Sequence, residues 1–141
     1  MGAASTDNRF QHWLAEMDDA INRFIDIAPA DTKPKLDFSD QSLESLESWL
    51  LAKYADPDQA AHSSQAALVD GAARYVGEIF RARTDSHWSI SFTDPKAVFY
   101  GLPTLQGGRL KAPLCPLALV TSATDRRTGR HLRTVLRNVT P

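Results

Sequence analysis

Residues 65–92 read QAALVDGAARYVGEIFRARTDSHWSISF, and the fold turns on them. Leu68, Ala72, Tyr75, Val76, Ile79 and Phe80 recur at three- and four-residue steps, which places them on one face of a helix. The pattern stops at Thr84-Asp85-Ser86. Trp88, Ile90 and Phe92 then alternate with Ser89 and Ser91, the two-residue period of a half-buried strand. A switch from one period to the other predicts an α+β domain. Gly71 and Gly77 lie inside the helix, where each is about 1 kcal/mol less favourable than alanine. Their presence predicts close approach of another backbone, with the helix packed tightly over the sheet that Trp88 begins. Glu78 has Arg74 and Arg81 at helical ion-pair spacing and is expected to anchor a neighbouring backbone or indole donor.

Upstream, Phe10, Trp13, Leu14, Met17, Ile21, Phe24 and Ile25 form the apolar stripe of a helix over 9–27, which Pro29 ends because the residue before a proline avoids helical geometry. Residues 1–8 are small, polar and aperiodic, and a flexible tail is expected there. A loop over 28–38 follows. Ser39 reads as an N-cap with Asp40 in the first turn, and Leu43, Leu46, Leu50 and Tyr54 mark a helix over 40–54. Asp56-Pro57 opens a third helical stretch, with a break near His62-Ser63-Ser64. Downstream, Thr93-Asp94-Pro95 reads as a turn and 97–101 as a second strand. Gln106-Gly107-Gly108 reads as a hairpin into a strand at 109–112. Pro116 is placed to start a helix, with an interruption near Thr128-Gly129, although Leu117 to Val120 also fits a last strand. The expected architecture is three N-terminal helices packed on a small antiparallel sheet, with a C-terminal helix, in a single domain over 9–141.

The chain has 141 residues, of which 43% are hydrophobic and 23% charged, enough apolar material for one core and too much for a disordered chain. No window approaches the ~18 uncharged apolar residues of a membrane span, and no basic start precedes an apolar run. A cytoplasmic location with no membrane partner is therefore expected. Cys115 stands alone, so no internal disulfide forms.

Net charge is −1, but it is unevenly spread. Residues 1–70 carry thirteen acids against five bases, a net −8, and residues 71–141 carry four acids against eleven bases, a net +7. Attraction between the two halves accounts for such a split, and so does a surface that steers a charged partner. Arg126, Arg130, Arg133 and Arg137 step by four, three and four, with Arg127 beside them. On one helix they form a stripe about 16 Å long, suited to an acidic protein or a phosphate-bearing ligand.

Catalytic patterns are not evident. The carboxylates fall on expected helix exteriors (Glu16, Glu44, Glu47) or at caps, with no pair at catalytic spacing. His12, His62, His87 and His131 share no metal-ligand spacing, and the glycines lack the residues of a phosphate loop. No metal or cofactor is implied, and the chain is not expected to be an enzyme.

The helix with Gly71, Tyr75, Gly77 and Glu78 that leads into a strand containing Trp88 resembles a family of small bacterial proteins. These carry a Gly-x-Tyr-x-Gly-Glu helix before a Trp-containing strand. A preceding Ser-x-x-Ser-Leu-x-x-Leu-x-x-Trp-Leu pattern is matched by Ser39, Ser42, Leu43, Leu46, Trp49 and Leu50, and a closing Pro-initiated helix by Pro116. The likeness covers about residues 37–92 and departs in that Gly71 stands farther from Tyr75. It implies structural roles for Gly71, Tyr75, Gly77, Glu78 and Trp88. It also implies a non-catalytic immunity or accessory protein that binds another protein, such as a secreted toxin. The alternative from the arginines is an anion- or nucleic-acid-binding module.

Overall fold

A computed structural model describes residues 2–140. Among them the chain forms seven α-helices and one two-stranded sheet, an α+β fold. Helices α1 (Gly2–Ala15) and α2 (Met17–Asp26) are nearly continuous, parted by a kink at Glu16. Helix α3 (Ser42–Lys53), the short α4 (Pro57–Ala61) and the long α5 (Ala66–Thr84) follow. Strands β1 (His87–Ser89) and β2 (Thr104–Gln106) pair antiparallel, with Trp88 opposite Leu105. Helices α6 (Pro116–Arg126) and α7 (His131–Val139) close the chain.

Local chemistry places the boundaries. Ser39 Oγ accepts the Ser42 amide at 3.1 Å, so the expected cap acts one turn ahead of α3. Asp56 accepts the Gln59 amide at 3.0 Å with Pro57 in the first turn of α4. Asp85 ends α5 in the left-handed conformation. Pro116 opens α6, and positive φ at Arg127 and Gly129 parts α6 from α7, so the C-terminal region is helical with its break where glycine predicts one.

Three expectations need correction. The first helix begins at Gly2, inside the stretch expected to be a tail, which shows no amphipathic period to mark it. Residues 97–101 form turns, not a strand: Val98 is 86% exposed, so the alternation there has no buried face to meet. Gly107 and Gly108 do turn the chain, but they dock it on the end of α5. A Cβ on Gly108 would sit 2.2 Å from the Thr84 and Asp85 carbonyl oxygens, and Arg109 N–H donates to Thr84 at 2.7 Å. The chain then makes a single bridge, Leu114 to Leu105, in place of the strand expected at 109–112.

The core is helical and the sheet is peripheral to it. Helix α5 lies at the centre between α2 and α6, and Leu43, Leu46, Leu50, Tyr75, Val76, Phe80, Val120 and Leu132 are fully buried. Glu47, expected on a helix exterior, is also fully buried. Its Oε2 accepts His131 N–H at 3.0 Å and its Oε1 accepts Leu132 N–H at 2.9 Å. Helix α7 has no cap of its own, since Arg130 precedes it. A carboxylate from α3 therefore fills that role, where helix-terminal amides and dipole favour negative charge.

Glu47→Gln is expected to destabilise the fold by about 2–3 kcal/mol in urea titrations, because an amide NH2 would face one of two inward N–H donors. A loss under ~0.5 kcal/mol would contradict this capping role. His131 gives a pH test. Burial holds its pKa below the ordinary imidazole value, with Arg126 acting the same way and Glu47 opposing. The unfolded chain then binds this proton more readily. The stability of the native chain relative to His131→Asn is expected to be full above pH ~6.5 and to shrink as pH falls below it.

Candidate functional site

The small residues of α5 bring aromatic rings, not a second backbone, against the helix. Gly71 faces Phe24 of α2: a Cβ there would lie 2.7 Å from Phe24 Cβ. Gly77 faces Trp88: a Cβ would lie 2.1 Å from Cη2 of its indole and 3.1 Å from Cγ of Pro116. Glu78 then fixes the ring, accepting Trp88 Nε1–H at 2.9 Å while it pairs with Arg81 at 2.8 Å. This is the indole donor expected for Glu78. Tyr75 lies on the opposite side, its hydroxyl donating to Ser42 Oγ at 2.8 Å and accepting Phe38 N–H at 2.9 Å. Its ring stacks on Phe38 at 4.7 Å, which ties the 28–39 segment to α5.

Arg74 pairs with Asp70, not with Glu78. The guanidinium, 3% exposed, bonds Asp70 Oδ2 at 2.7 Å and the Trp13 carbonyl at 2.7 Å, and it lies 4.2 Å from the centre of the Trp13 ring. Asp70 Oδ1 accepts Trp13 Nε1–H at 3.0 Å. Two carboxylates of α5 thus hold two indoles, which meet edge to face at 4.9 Å. They line a cavity of about 340 Å³ with Pro57, Pro103, Pro116, Leu117 and Val120. Neither Trp13 nor the role of Asp70 was singled out from the sequence. The signal was faint: Trp13 reads as one more residue of an apolar stripe.

The arginines are dispersed. The left-handed turn at Arg127 and the break at Gly129 put Arg126 at the end of α6 and Arg133 and Arg137 on α7, with Arg130 just before it. One continuous stripe does not form. Arg127 is structural: it donates to the Tyr54 and Leu51 carbonyls at 2.9 and 3.0 Å, closing the C-terminus of α3. Arg133 pairs with Glu44 at 2.7 Å. Arg126, Arg130 and Arg137 are exposed and make no ion pair with a described residue.

A second concavity lies against helices α6 and α7. Leu110, Leu114, Leu119 and Val139 line a groove between the 99–115 segment and helices α6 and α7, and Arg109 and Lys111 line it with them. Among the described residues no carboxylate lines it. Arg126 stands one turn beyond Ser122 of the groove, and Arg137 precedes Asn138 of the groove. Cys115 faces the same groove from a buried position, and burial pushes its thiol pKa up, away from a reactive thiolate.

Among the described residues no three His, Cys, Asp or Glu side chains gather where a metal ion could be held. Among the same residues no helix is long and apolar enough to cross a membrane.

Gly77→Ala is expected to lower stability by about 2–3 kcal/mol despite the better helix propensity of alanine, because the methyl displaces Trp88 from Glu78. Denaturant titration with near-ultraviolet dichroism checks this, and an unchanged aromatic spectrum would contradict the packing. Comparison of the chain with protein-family models, with curated proteins and with solved structures finds no match in any of the three.

Proposed function

We propose that the chain is a non-catalytic binding protein whose basic C-terminal face engages another protein through an acidic segment that also carries apolar side chains. The groove between the 99–115 segment, α6 and α7 carries this reading: its floor is apolar, Arg109 and Lys111 line it, and among the described residues no carboxylate does. Arg126, Arg130 and Arg137 add exposed positive charge on α6, α7 and the turn between them, and both helices wall the groove. From Pro95 to Pro141 the chain has eight basic residues and one acid, Asp125. Such a surface steers an oppositely charged partner, while apolar floor residues supply affinity.

The residues best suited to acid–base chemistry have structural duties. Glu47 caps α7, Glu78 holds Trp88, and Asp70 holds Trp13 and Arg74. That division of labour supports a binding role over catalysis. The likeness of residues 37–92 to small bacterial immunity-type proteins supports a toxin as the partner and the cytoplasm as the place of action. The break between α6 and α7 disfavours the alternative of a linear phosphate-binding stripe.

The test is capture from the native bacterial lysate by the purified chain and by Arg126→Glu/Arg130→Glu/Arg137→Glu, at rising salt and with nuclease treatment. A protein with an acidic segment is expected on the native chain, resistant to nuclease and at least tenfold depleted on the charge-reversed variant or at 0.5 M salt, about 4 Å of Debye length. Capture that disappears with nuclease would favour nucleic acid instead. Equal capture by both chains would refute the basic face as the contact surface.

A further inference from the structure

The cleft walled by Trp13 and Trp88 is a separate feature that the partner-binding reading leaves unused. We propose that it is a binding site for a small, neutral, aromatic ring compound that carries one N–H or O–H donor. Three properties of the cleft define that class.

The first is size and surface. A volume of about 340 Å³ lies at the small end of ligand pockets, roughly 300–1,000 Å³. Most of its lining is alkyl or aromatic: Pro57, Pro103, Pro116, Leu117, Val120 and the two tryptophans. Both indole N–H groups are bonded to carboxylates of α5, so what the indoles offer a ligand is carbon. The rings stand at 78° to one another, and each is held by a hydrogen bond of 3.0 Å or less. Walls held in place before binding reduce the ordering that a ligand must impose.

The second is hydrogen bonding. Asp70 lines the cleft, and its side chain is 44% exposed. Each oxygen takes one donor, Trp13 Nε1–H on Oδ1 and Arg74 Nε–H on Oδ2. A carboxylate accepts about four, so the cleft retains acceptor capacity and calls for a ligand with a donor. Thr121, also in the lining, gives its hydroxyl proton to the Leu117 carbonyl.

The third is charge. Arg74 lies 2.7 Å from Asp70 and is almost completely buried, so the ionic charge of the carboxylate is already balanced. Arg74 itself lies outside the lining, so a cationic ligand would meet a carboxylate already paired and gain little, and an anionic one would be repelled by it. A neutral donor avoids both drawbacks.

The test uses indole as probe, with 1-methylindole, which lacks the donor, and indole-3-acetate, which adds a negative charge. Titrations are followed by the indole N–H resonances of Trp13 and Trp88 in proton–nitrogen correlation spectra. Indole is expected to give saturable shifts at both, with 1-methylindole about tenfold weaker or more, the size of one hydrogen bond to a charged group, and indole-3-acetate, which keeps the donor, weakened about as much by repulsion between its carboxylate and Asp70. Ala66 lines the cleft and is exposed, so Ala66→Phe is expected to fill the mouth and abolish the shifts without disturbing the core. Ala67→Phe, at the exposed neighbour outside the lining, is expected to leave them unchanged. Shifts that do not saturate, or that survive Ala66→Phe, would overturn the site. Equal binding of 1-methylindole would overturn the donor requirement, and equal binding of indole-3-acetate the requirement for neutrality. None of these outcomes bears on the basic groove, whose variants lie on α6, α7 and the turn between them.

Discussion

The indole of Trp88 rests on the bare backbone of Gly77, and much of the molecule is arranged so that it can. Helix α5 is buried along its middle, Gly71 to Gly77. A helix so enclosed has to meet its neighbours at different distances on different sides. Where α2 and β1 come nearest, even a methyl group would collide with Phe24 or Trp88. The helix tolerates two weak formers there because tight ring packing offsets about 1 kcal/mol of lost propensity at each. The sheet is then held to the helical core by Trp88, whose orientation Glu78 fixes, and by the fully buried Leu105 opposite it.

Carboxylates serve as struts throughout this fold. Glu47 spans from α3 to α7, Asp70 from α5 to α1, and Asp40 reaches Arg83 at 2.8 Å. Several of these join the acidic first half to the basic second half, so part of the charge asymmetry is used internally. Energetically they are unequal. Exposed pairs such as Arg83–Asp40 contribute at most about 1 kcal/mol. Glu47, buried and bonded to two helix-terminal amides, matters far more, since loss of its charge would strand donors away from water. The charge that remains is segregated: Asp18, Asp19 and Asp26 lie exposed on α2, and Arg126, Arg130 and Arg137 lie at the other end of the chain.

The two concavities differ in kind. The tryptophan cleft is framed by helices and fixed rings, and its single carboxylate is neutralised by Arg74. The groove beside α6 and α7 is bordered on one side by an irregular segment, with cations and no acid along it. That difference underlies the proposed occupants, a compact uncharged ligand for the first and a charged, extended segment for the second. Near the same segment, Phe92 and Tyr100 meet edge to face at 5.7 Å on the surface, which gives the turns over 97–101 local order without a ladder partner.

Period and punctuation in the sequence were enough to place most helices. The stripes at Leu43, Leu46 and Leu50 and at Tyr75, Val76, Ile79 and Phe80 are core, and Asp56-Pro57, the His62 break and Gly129 stand at element boundaries. These features are local: side-chain spacing, proline geometry and glycine freedom act within a few residues. The sequence also marked Gly77 and Glu78 as a place of close packing with an indole within reach. What it left open depended on distance in space. Glu47 reads as an exposed helix carboxylate until α7, 84 residues away, presents its amides to it. Arg127 and Arg133 read as members of a stripe until α3 takes them as partners. Trp13 and Trp88 become one wall only because Asp70 and Glu78, eight positions apart on α5, turn both indoles onto the same side. Which arginines stay exposed and unpaired was decided by tertiary structure, because a charge is left without an ion pair only where no remote part of the chain folds against it.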